Sequence, residues 1–119
     1  MSGLEKKIEI ASWLSRMIYE SFRSEEIQAW LIGSILDNSA KPEDCDILIM
    51  VHPNSVSKLA QLSPVWRENF GGRFNLPLHL TRLTYDEAET STVFLDAVFS
   101  KPHMLIEPQH NNSFNPTAR

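Results

Sequence analysis

From Leu4 to about Ser24 apolar residues return at helical spacing: Leu4, Ile8, Ala11, Leu14, Ile18 and Phe22, with Trp13 and Met17 widening the stripe. Lys6, Glu9, Arg16, Glu20 and Arg23 fall largely elsewhere, so the spacing predicts an amphipathic helix. Ile27 to Ile32 is an apolar run interrupted by Gln28, the pattern of a strand covered on both faces. Gly33-Ser34 ends that run in a turn. Ile35 to Glu43 is polar, contains Asp37-Asn38 and Pro42, and reads as a loop with room for one helical turn. Cys45 to Val51 is a second apolar run and a second buried strand.

His52-Pro53-Asn54-Ser55 breaks that strand and offers a helix cap at Asn54 or Ser55. Val56, Leu59, Ala60 and Leu62 begin the next helix; Pro64 is expected to kink or divide it before Trp66 and Phe70, and Gly71-Gly72 to end it. Arg73 to Leu83 alternates, with Phe74, Leu76, Leu78 and Leu80 on one side and Asn75, His79 and Thr81 on the other, as in a strand with one polar face. Thr84-Tyr85-Asp86-Glu87 matches a capping box. A last helix is expected to run to about Phe99, burying Val93, Phe94, Ala97 and Val98, with Pro102 stopping it and Met104-Leu105-Ile106 as a short edge strand. The order helix, strand, loop, strand, helix, strand, helix predicts an α/β (α+β) domain over residues 1–108, a small mixed sheet backed by helices. Residues 109–119 are polar and Asn-rich, and are expected to be a disordered tail.

Composition narrows the function classes. The 119 residues suffice for one domain, and 42% hydrophobic with 22% charged residues is an ordinary globular balance. A net charge of −4 argues against a broad basic face for nucleic acid. Cys45, the one cysteine, rules out an internal disulfide and suits a reducing cytoplasm. No run approaches the length of a membrane span, and the N-terminus lacks the apolar core of a signal peptide. A soluble, cytoplasmic protein without a membrane partner is expected.

The candidate chemistry lies where the first two strands meet. Asp44 and Asp46, two apart on an extended chain, point to one face. Adjacent carboxylates repel, and a divalent cation such as Mg²⁺ is the simplest thing to hold them together. The flexible Gly33-Ser34 turn beside such an ion is a natural seat for a polyphosphate. Cys45, between the acids, should face the core. Trp13, Trp30 and Trp66 are expected to fill the core, and His52, His103 and His110 lack ligand spacing with one another.

Leu31-Ile32-Gly33-Ser34, nine residues, then Asp44-Cys45-Asp46-Ile47 resembles the signature of the nucleotidyltransferases of the DNA polymerase beta superfamily, especially the minimal ones of prokaryotes. Pro42 matches a loop proline often found before the acids. The resemblance implies a nucleotidyltransferase-like fold in which Gly33 and Ser34 bind the nucleotide's phosphates. Asp44 and Asp46 would be the catalytic, metal-binding pair, with Mg²⁺ (or Mn²⁺) as cofactor and ATP as substrate. It implies transfer of AMP to a hydroxyl of a protein or other acceptor, and a toxin–antitoxin pairing with a small helical protein of the HEPN type; a homo-oligomer is the other possible partner. Two departures stand out. His79 occupies the best place for the family's third acid, where it could serve as a general base, and Ile35-Leu36-Asp37-Asn38 replaces the Ala-Arg-Gly that often follows Gly-Ser. The alternative is therefore a catalytically silent module of the same fold, binding nucleotide or protein; an unrelated mixed α/β domain is the plainest reading.

Overall fold

The apolar runs become the two central strands of a four-stranded mixed sheet ordered β3-β2-β1-β4, with β1 at Ile27–Ile32, β2 at Cys45–Val51, β3 at Leu78–Thr84 and β4 at His103–Leu105. This computed structural model describes residues 3–37 and 41–108; Asn38 and the 109–119 segment expected to be a tail lie outside them, as does the side chain of Leu4. β1 and β2, joined by a loop, pair antiparallel, and β1 also pairs antiparallel with β4. β3, reached through a helix, runs parallel to β2, as a helical crossover dictates. The fold is the small α/β (α+β) mixed sheet expected from the sequence.

Alternation divides the sheet into two faces. Ile27, Ala29 and Leu31 of β1, Cys45, Ile47, Ile49 and Val51 of β2, and Leu78 of β3 are buried in one core with Ile10, Leu14 and Ile18 of α1 (Gly3–Ser21) and Leu59, Trp66 and Phe70 of α2 (Val56–Phe74). Trp13, half-buried, meets Phe70 and Phe74 edge-on at 5.6 and 5.8 Å. On the opposite face Leu48 is buried and Trp30 packs edge-on against Phe99 at 5.2 Å, so Trp30 lies outside the main core. Beyond β4, Ile106 is buried and donates its N–H to Ala29 O at 2.8 Å; Tyr19 Oη and Ser15 Oγ donate to the carbonyls of Ile106 and Glu107. Among the described residues no helix is long and apolar enough to cross a membrane.

Several expectations need correction. The buried stripe of α1 is Ile10, Leu14, Ile18 and the following Phe22, whereas Ile8 is 57% exposed, because Ile10 rather than Ile8 falls in phase with Leu14 and Ile18. α2 is not divided at Pro64, and it runs on through Gly71-Gly72. Pro64 is exposed, on the side where a carbonyl left without its helical donor can reach water. The stop comes at Asn75, whose left-handed backbone (φ 55°) lets its N–H bond Gly71 O at 2.9 Å. Arg73 and Phe74 thus end a helix, and the strand begins only at Leu78.

The last helix is two, α3 (Tyr85–Thr90) and α4 (Thr92–Phe99), divided at Ser91. The capping box is present: Thr84 N–H donates to Glu87 Oε1 at 2.9 Å and Glu87 N–H to Thr84 Oγ1 at 3.0 Å. Thr84→Ala is expected to cost about 1 kcal/mol, read as a fall of roughly 4 °C in the thermal midpoint. On α4, Val93, Phe94 and Ala97 are exposed, Val93 to 84%, rather than buried.

Candidate metal centre

Register builds the site. Asp46 on β2 pairs with Ile32 of β1 on one side and with His79 of β3 on the other. Asp44, two residues earlier, keeps its side chain on the same face. His79 Nδ1 lies 3.3 Å from Asp46 Oδ1 and 3.5 Å from Asp44 Oδ2. One donor atom from each of the three residues falls within 4.8 Å of the other two. The carboxylates are about one-third exposed and His79 more so, which leaves the cluster open to solvent on one side.

Gly33 closes the other side. Its φ is +82°, and a Cβ placed there would meet Asp46 Oδ2 at 2.7 Å. Glycine is the residue that fits both the backbone and the space. Gly33 opens a 3-10 turn, Gly33–Leu36, held by Asp37 N–H to Ser34 O at 3.0 Å, by buried Ile35, and by Lys7 Nζ from α1 to Leu36 O at 3.2 Å. Ser34 is exposed on this turn. Gly33, Asp44 and Asp46 therefore meet in space, with Ser34 adjoining, and the histidine singled out on the third strand meets them as well.

Burial raises the Asp46 carboxyl above its ordinary value, Asp44 adds to the rise, and His79 pulls against both. An acid whose folded-state value is raised is favoured in its protonated form, so the ion-free site loses stability as pH climbs through the carboxylate range. A bound cation reverses that loss. Two carboxylates and an imidazole fit a divalent ion by donor type. Cys45, by contrast, points into the core, and burial first, then Asp46 and Asp44, pushes its thiol up to about 12. Cys45 is expected to resist a thiol-specific reagent at pH 8 in the folded protein and to react fully once denatured; rapid reaction in the native state would contradict this burial.

A cleft of ≈ 870 Å³ begins at Gly33 and Ser34 and continues between the 3-10 turn and α4, lined by Ile32, Leu36, Phe94, Val98 and Lys101. Lys101 puts a cation on the same cleft as the Gly-Ser turn. Nothing in the sequence pointed to it, because a lysine just past a helix end has no distinctive spacing. No protein-family model matches the chain, and no curated protein matches it.

Proposed function

We propose that the protein is a metal-dependent nucleotidyltransferase that moves AMP from ATP to a hydroxyl on a protein or other acceptor. The observation that carries this reading is the meeting of a bare glycine backbone with a two-aspartate cluster, Gly33 against Asp46. The side chains of Asp44, Asp46 and His79 would hold a divalent ion, which would supply charge neutralisation for the polyphosphate. Gly33, without a side chain, lets the Asp46 carboxylate lie against the turn, and the exposed Ser34 hydroxyl beside it donates a hydrogen bond to the phosphate oxygens. Lys101, lining the same cleft, adds positive charge in place of the arginine that the 3-10 turn lacks. The apolar part of the cleft, with Phe94 and Val98, suits the nucleoside. The acceptor oxygen forms a bond to the α-phosphorus as the bond to pyrophosphate breaks, and the hydroxyl proton passes to solvent. Position and charge, more than covalent help, lower such a barrier.

The second reading is a silent module that binds nucleotide without transfer, and His79 in place of a third carboxylate favours it. The two separate on incubation with α-labelled ATP, Mn²⁺ or Mg²⁺, and candidate acceptors. Label transfer that disappears in Asp44→Ala and Asp46→Ala supports the enzyme; ATP binding without transfer under every metal supports the module.

A further inference from the structure

We infer that the Asp44–Asp46–His79 centre takes a divalent transition ion in preference to Mg²⁺, with His79 Nδ1 as its third ligand. The inference deepens the proposed function by naming the class of ion, and it rests on the metal-holding part of that reading alone.

The donor set decides it. Mg²⁺ demands oxygen ligands in a near-ideal octahedron and loses its waters reluctantly, whereas imidazole nitrogen suits Fe, Ni, Cu and Zn best and Mn²⁺, the weakest binder of the first-row series, least among them. Here both short contacts to the acids come from one atom, Nδ1 of His79, at 3.3 and 3.5 Å. Ligands about 2.1 Å from one ion, at right angles, stand roughly 3 Å apart. The imidazole nitrogen therefore stands within a few tenths of an ångström of that spacing from each carboxylate, and all three donors lie within 4.8 Å of one another. The side open to solvent is left for other ligands. The backbone fixes this arrangement, because His79 is the direct cross-strand partner of Asp46 in the parallel pair, so its side chain rises beside the carboxylate without any loop having to order.

The test uses the full chain and the metals alone. Calorimetric titration with Mn²⁺ and Mg²⁺ is expected to give binding at least about tenfold tighter for Mn²⁺. The pulsed EPR spectrum of bound Mn²⁺ is expected to carry modulation from a directly bound nitrogen. His79→Asp, at an exposed position where the fold has little at stake, should remove the nitrogen modulation and shrink the Mn²⁺ over Mg²⁺ preference by about tenfold or more. His79→Ala should weaken Mn²⁺ by at least about tenfold and leave Mg²⁺ nearly unchanged. Circular dichroism confirms that both variants are folded.

Absence of nitrogen modulation in the wild type, or an unchanged Mn²⁺ to Mg²⁺ ratio in His79→Asp, overturns the inference. Nitrogen-bound Mn²⁺ in a protein that never transfers a nucleotide sustains the inference while the transferase reading falls. Transfer supported equally by Mg²⁺, with no nitrogen signal, does the reverse.

Discussion

Asp46→Asn is expected to reduce the proposed nucleotidyl transfer at least about a hundredfold, because it removes the carboxylate that lies against both His79 and Gly33. Asp46 is the register partner of His79, has Asp44 two residues before it on the same face, and lies against the Gly33 backbone. Asparagine keeps its size and shape but neither its charge nor its affinity for a cation, so affinity for divalent ions should fall with activity. Stability should move the other way when no metal is present. The Asp46 carboxyl is raised by burial and by Asp44, so ionising it costs the fold free energy above the carboxylate range, and the amide does not pay that penalty. In EDTA at pH 7 the variant should melt no lower than the parent; with saturating Mn²⁺ the parent alone should gain in melting temperature. Transfer that survives the substitution, measured with labelled ATP, would remove Asp46 from the chemistry.

Gly33→Ala is the second large effect, and it acts through two independent causes. A left-handed backbone at φ +82° is strained for alanine by about 1–3 kcal/mol. The new Cβ would also press on Asp46 Oδ2 from 2.7 Å, closer than real Cβ contacts come. The carboxylate must shift to relieve that contact, and a shift disturbs the position it shares with Asp44 and His79. Thermal unfolding should therefore show a midpoint lowered by roughly 4 °C for each kcal/mol lost, and titration should show weaker divalent-ion binding in the surviving folded protein. A drop in stability with unchanged ion affinity would mean that the carboxylate has room to spare, and that only the backbone needs glycine there.

The central strands were legible because their signal is unambiguous: Ile27–Ile32 and Cys45–Val51 are apolar runs that end at turn residues, and both lie in the sheet as read. Thr84 and Glu87 were legible for a local reason, since a capping box is complete within four residues. Pro64 does not divide α2, since at this exposed position the carbonyl that loses its helical donor can bond to water. Gly71-Gly72 misled because the stop signal was Asn75, three residues on. α4 misled for a different reason. Thr-Val-Phe-Leu-Asp-Ala-Val-Phe is apolar almost all round, so it carries no phase from which an inner face could be chosen.

Within the site, the Asp44–Asp46 pair and its neighbour Gly33 follow from spacing between two strands. The alternation of β3 put His79 on the polar face. What alternation could not supply was the neighbour that His79 faces, since that depends on how the crossover through α2 sets the alignment of β3 on β2. Lys101 depends on where α4 comes to rest over the 3-10 turn, which no local pattern encodes.

The turn at Gly33, the start of β2 and the edge of β3 are brought together from three distant parts of the chain. An ion held there by Asp44, Asp46 and His79, as proposed, would have nothing equivalent to bind once the polypeptide opens. Such a ligand adds stability by mass action, about 2.7 kcal/mol when present at a hundred times its dissociation constant. The supply of free metal around the protein would then set how long each molecule escapes proteolysis, and starvation for that ion would shorten its lifetime before any change in its synthesis.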